Sequence, residues 1–143
     1  MKKNDILRVL VLTMFYLNNG LASGVSDIGE ISKVEKEKRH IVSRMYQATY
    51  GMLQICPDKE VDSFKKIIAK FEERYPEFSK LLNESKYHQY AVDNMRRDIT
   101  HERKQSDKAR IPQCSFGKSM TKSLTNTDSG KKSVAEMLEK LQK

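Results

Sequence analysis

From Ser32 to about Gln105, apolar residues recur every three or four positions, and no segment alternates apolar with polar over the length of a strand. Each such stretch can bury only one stripe, against the stripe of another helix, so the pattern predicts an all-α fold: a small bundle of about four helices. The first spans Ser32 to Ile55, with a stripe of Ile41, Met45, Ala48, Met52 and Ile55 behind a charged start from Lys33 to Arg39. Cys56-Pro57-Asp58 ends it, because proline disfavours a helical conformation in the preceding residue, and Asp58 is placed to cap the second helix with Glu60 near its positive end. That helix buries Val61, Phe64, Ile67, Ile68, Phe71 and Tyr75 opposite Lys65, Lys66, Lys70 and Glu73. Pro76 opens a short third helix carrying Phe78, Leu81 and Leu82. Asn83-Glu84-Ser85 opens a fourth, with Tyr87, Tyr90, Ala91, Met95 and Ile99 on one face and polar last turns that project from the core.

The pattern weakens after Gln105. Residues 105–113 read as a loop over the bundle, and the helical domain is expected to cover 23–116. Beyond Phe116 the composition turns to Gly, Ser, Thr, Asn and Lys, so 117–132 reads as a flexible linker. Ser133-Val134-Ala135-Glu136 has the form of a capping box, starting a short amphipathic helix at 133–143 on Val134, Met137, Leu138 and Leu141. A helix of that length is not stable alone and must dock or fray. The extension is basic: residues 101–143 hold 10 basic and 5 acidic side chains, against 14 and 13 in residues 23–100.

The start of the chain has a different character. Lys2 and Lys3 precede an apolar run from Leu7 to Leu17, and Gly20-Leu21-Ala22 supplies the small residues needed before a cut after Ala22. Residues 1–22 thus read as a secretory signal peptide; eleven apolar residues fall short of the ~20 that span a bilayer as a helix. A lipid anchor would need Cys where Gly24 stands. Export, to the periplasm first and to the medium second, places Cys56 and Cys114 in an oxidising compartment with one pairing open to them. Closing a loop of about 57 residues contributes roughly 4 kcal/mol on the chain-entropy model, a large share of the ~5–15 kcal/mol of a small domain.

Catalytic patterns are missing from the sequence. There is no glycine-rich phosphate loop, no H-E-x-x-H, no G-x-S-x-G, and no C-x-x-C or short-spaced metal-ligand set, so no cofactor or metal is expected. Asp98 and His101 share a helix face at i,i+3, and Glu72, Glu73, Glu77 and Glu84 are the acids that a hydrolase would have to recess in a cleft; their lysine-rich surroundings read as solvated faces. Tyr46, Tyr50, Tyr87 and Tyr90 read as edges of the core rather than as a stacking platform. The candidate contact surface is basic: Arg96, Arg97, Arg103, Lys104, Lys108 and Arg110. Export and the lack of any helix-turn-helix, zinc or RNA-binding signature argue against nucleic acid as the ligand. The expected function is that of a small exported helical binding protein in the bacterial envelope, such as an inhibitor, an immunity factor or a secretion-system accessory, without catalytic activity. Its expected partner is another protein with an acidic patch. Two alternatives stand beside it: a small envelope-acting hydrolase, and a structural or peripheral membrane role in which the terminal helix makes weak contact with anionic lipid. Mass spectrometry of the native product is expected to show a chain beginning at Ser23 with no titratable thiol. A chain beginning at Met1, or two free sulfhydryls in the folded protein, overturns the export reading.

Overall fold

The computed structural model describes residues 32–143, and the expected signal peptide lies outside them. Among the described residues the fold is all-helical, with six helices. The first is a rod: α1 (Lys33–Tyr46) continues through a π turn (Gln47–Gly51) into the helical turn Met52–Ile55. Ser32 caps it, its hydroxyl accepting from the Glu35 amide. Cys56-Pro57 stops it as the sequence requires, and α2 (Asp58–Arg74) follows at once. Asp58 is the first residue of α2 rather than its cap; with Glu60 it places negative charge in the first turn, where the helix dipole favours it. Pro76 occupies the first turn of α3 (Pro76–Glu84), and α4 (His88–Glu102) begins after a turn at Ser85 to Tyr87.

The core forms where these stripes meet. Phe64, Phe71 and Phe78 are fully buried, with Phe71 edge-on to Tyr75 at 5.4 Å and to Phe78 at 6.2 Å. Val42, Met45, Ile55, Ile68, Leu82, Ala91 and Met95 complete the cluster. Tyr90 departs from its expected place: it is 43% exposed, with the Arg39 guanidinium 5.4 Å from its ring centre. α1 and α4 run side by side in the same direction, joined by Glu35 to Lys86 and Tyr87 at one end, Ser43 to Asn94 in the middle and Gln54 to Arg103 at the other. The last turns of α4 therefore lie against the end of the rod instead of projecting from the core.

The larger correction concerns residues 105–143. The expected loop and linker are helical: α5 covers Asp107–Asn126 and α6 covers Asp128–Gln142, with Thr127 between them accepting from the Gly130 amide as the true cap. Ser133 lies inside α6, so its apparent capping box caps nothing. Pro112 is inside α5 and removes the donor that would reach the Lys108 carbonyl. The terminal segment is docked, with Val134 and Leu141 buried, Lys140 bonded to Glu37 at 2.7 Å and Gln142 to Glu77 at 2.6 Å.

The small polar residues that mimic a linker are the contact surface of α5. Thr121 and Thr125 are buried, and their hydroxyls donate to the carbonyls of Gly117 and Thr121 at 2.8 Å, so each satisfies itself within its own helix. Gly117 brings α5 close to the rod: a Cβ there would stand 2.5 Å from Met52 Cβ. Gly130 does the same between α6 and α5, where a Cβ would meet the Ser123 carbonyl oxygen at 2.2 Å and Leu124 Cα at 2.6 Å. At Gly51, by contrast, a Cβ would meet only the flexible end of Met95, Cε at 2.2 Å and Sδ at 2.3 Å. Gly130→Ala is expected to cost about 2–3 kcal/mol, since backbone cannot give way, despite the roughly 1 kcal/mol that alanine adds inside a helix. Gly51→Ala is expected to cost less than half as much, because a methionine tip can rotate away. Urea unfolding of the two variants at constant slope measures the difference, and equal losses contradict the assignment of Gly130 to a backbone-to-backbone contact.

Candidate functional site

A helix that stops at a proline leaves its last carbonyls without intrahelical donors. At the end of the rod, the carbonyls of Gln54, Ile55 and Cys56 are met from outside by two arginines. Arg110, in the first turns of α5, donates from Nη1 to the Ile55 carbonyl at 3.2 Å and to that of Cys56 at 3.4 Å, while Nη2 donates to Asp107 at 2.7 Å. Arg103, at the end of α4, donates from Nε to the Gln54 carbonyl at 3.0 Å. Two cations at a helix C-terminus also match the sign of its dipole. The Arg110 side chain is only 15% exposed, and its Nε is a buried atom without a hydrogen-bond partner.

The two cysteines lie at the same place. Cys56, immediately after the rod, stands at disulfide distance from Cys114 of α5, with the sulfurs 2.03 Å and the Cα atoms 4.9 Å apart, and both residues are buried. Beside this clip lies an open depression of about 460 Å³, lined by Leu53, Gln54, Cys56, Asp58, Val61, Arg103 and Arg110.

The six basic residues singled out from the sequence do not form one patch of equivalent charges. Arg103 and Arg110 cap the rod, and Arg96 is paired with Asp93 at 2.9 Å. Arg97, Lys104 and Lys108 are exposed and carry no ion pair among the described residues. Of the other basic residues in the extension, Lys118 is held by Glu60 at 2.5 Å and Lys131 by Asp128 at 3.4 Å, while Lys122 is exposed. The capping role of Arg103 and Arg110 was not readable from sequence. The one signal for it was the Cys56–Cys114 pairing, which brings the start of α5 to the end of the rod.

The acids considered for hydrolysis are all solvent-exposed. Glu72 accepts from the Tyr50 hydroxyl at 2.8 Å, Glu77 accepts from Gln142, and Glu84 and Asp98 lie on the surface. Glu73 lines a second open depression, of about 640 Å³, together with Lys70, Arg74, Tyr75, Thr125 and Lys131, whose charges are mixed in sign. His101 is exposed, with Nε2 3.5 Å from the Gln105 amide nitrogen. Among the described residues no three His, Cys, Asp or Glu side chains are grouped to hold a metal ion, and no helix is long and apolar enough to cross a membrane. Comparison with protein-family models, with curated proteins and with solved structures gives no match.

One titratable group is strongly perturbed. Tyr50, at the end of the π turn, is half-buried in a chain of hydroxyls in which Ser79 lies 2.6 Å from its oxygen and Glu72 accepts its proton. Loss of water around the ring is the main cause that pushes the phenol up to about 12, with the Glu72 carboxylate acting in the same direction. A phenol that ionises later in the folded chain than in the unfolded one stabilises the fold fully below pH ~10, and that contribution is lost as pH rises through the folded value. Stability measured by urea unfolding is therefore expected to fall from pH ~10 upward, and Tyr50→Phe to flatten that decline. An unchanged alkaline slope in the variant contradicts this account of Tyr50.

Proposed function

We propose that the protein is an exported, non-catalytic binding protein of the bacterial envelope, an inhibitor, immunity factor or secretion-system accessory, that holds an acidic surface of another protein at the clipped end of its rod. The observation that carries this reading is the placement of Arg97, Lys104 and Lys108. All three are exposed and without an ion pair among the described residues: Arg97 is in the second half of α4, Lys104 in the turn that follows it and Lys108 in the first turn of α5, and the chain around them is fastened to the end of the rod by Arg103 and Arg110. Cations carried on a scaffold that is already fixed lose little conformational freedom when a partner arrives, so more of their attraction is available for association. Most other cations of the extension are already neutralised: Lys131 by Asp128, Lys132 by Glu136, Lys140 by Glu37 and Lys143 by Glu139. The cysteine pair fits an oxidising compartment. Contact with anionic lipid through the terminal helix has less support, because Val134 and Leu141 face the core.

The test is capture from a native envelope extract by the oxidised protein, with bound proteins identified by mass spectrometry. A specific acidic partner is expected, held at least tenfold more weakly at about 0.5 M salt than at about 0.05 M, because exposed charges are screened within a Debye length. The combined variant Arg97→Gln, Lys104→Gln, Lys108→Gln is expected to reproduce most of that loss at low salt. A partner retained equally at both salt concentrations and by the variant overturns the proposal.

A further inference from the structure

We infer that the depression beside the disulfide-distance clip receives a carboxylate side chain of the partner together with a neighbouring aliphatic one, with Arg103 as the residue that reads the carboxylate. The inference rests on the binding function proposed above and names the chemistry of the contact.

The argument begins with how Arg103 is held. Its Nε donates to the Gln54 carbonyl at 3.0 Å, which fixes the plane of the guanidinium, and its Nη atoms have no partner among the described residues. A guanidinium anchored through Nε presents its two terminal amino groups as a fork, and a fork of parallel N–H donors matches the two oxygens of a carboxylate. Arg110, on the same depression, is anchored the other way round. Its Nη atoms are engaged by the Ile55 and Cys56 carbonyls and by Asp107, and its unpartnered Nε is buried, so it offers no donor to a group that enters from solvent. One arginine is therefore equipped to bind and the other to cap the rod.

The remaining lining selects what accompanies the carboxylate. Leu53, Val61 and the Cys56 side give the depression an apolar wall, and Leu53 and Val61 are half-buried members of the core rim. A bare anion would leave that wall in contact with water, whereas a segment with an aliphatic residue beside an acidic one covers the wall and pairs with the fork together. Asp58 is the one carboxylate on the lining, and it opposes the incoming charge. That opposition supplies a variant whose effect has the opposite sign to damage.

The experiment uses the isotope-labelled oxidised protein and two synthetic probes: an end-blocked pentapeptide of alternating leucine and glutamate, and the same peptide with glutamine in place of glutamate. Titration followed by NMR is expected to shift the Arg103 Nε–H signal and the methyl signals of Leu53 and Val61 with the glutamate peptide and not with the glutamine one. Arg103→Gln is expected to weaken binding at least tenfold, and Arg103→Lys, which keeps the charge but loses the fork, at least threefold. Asp58→Asn is expected to tighten it about twofold to threefold, a gain that misfolding cannot produce. Equal binding of both peptides, or binding unchanged in Arg103→Gln, overturns the inference. Inorganic phosphate that displaces the peptide at its own low concentration overturns it in favour of a general anion site. If the native partner is lost by the Arg97, Lys104, Lys108 variant but kept in full by Arg103→Gln, the inference falls while the proposed function stands.

Discussion

The carbonyl end of the first rod is the point on which the rest of the molecule depends. Proline at position 57 forbids the chain to continue as helix, so the last carbonyls of the rod need donors from elsewhere or must face water. Arg110 fills two of those positions while partly buried, and hydrogen bonds from a charged donor contribute about 1.5–3 kcal/mol each. For Arg110 to reach them, α5 must start beside the rod, and Cys114 then lies across from Cys56. The same placement sets Gly117 against Met52 and leads α5 along α2, where Lys118 meets Glu60. One helix ending thus determines the course of the last third of the chain.

That dependence explains which parts of the fold were legible in the sequence. The first four helices show in the apolar periodicity because each packs large side chains against the common core, as Phe64, Phe71 and Phe78 do. Their punctuation shows too, since Pro57 and Pro76 act locally. α5 follows a different design. It buries the small residues Gly117, Thr121 and Thr125, and at Gly117 it comes so close to the rod that Met52 and Phe64 leave no room for a Cβ. A threonine hydroxyl that bonds four residues back in its own helix is buried without cost to its neighbours, yet on paper it counts as a polar residue of a loop. Composition therefore suggested flexibility where the structure has its closest helix contacts.

Charge has a related limit. The sequence shows an excess of cations in residues 101–143, and a count of charges cannot tell which are free. In the fold, Glu35, Glu37 and Glu60 of the first half each reach across to a lysine later in the chain, and each carboxyl is held below its ordinary range by that lysine or, for Glu35, first by the Tyr87 hydroxyl. These pairs join segments far apart in sequence, so no local pattern announces them. Within residues 101–143, Lys104, Lys108 and Lys122 are exposed without an ion pair among the described residues, and the first two adjoin the segments that Arg103 and Arg110 fasten to the rod.

The two ends of the rod are accordingly held by different physics. At Glu35 and Glu37 the contacts are exposed ion pairs with Lys86 and Lys140, whose strength falls with salt and whose side chains stay mobile. At Cys56 the contacts are a cysteine pair, a partly buried guanidinium on backbone carbonyls and a close approach of two helices, which salt screens less. Opening of the rod should be confined to its first turns and stop before Ile41 and Val42, which are buried in the core. Under the binding function proposed above, the second end is the one at which a partner loses least by binding, because the cysteine pair and the arginine hydrogen bonds already hold the backbone there.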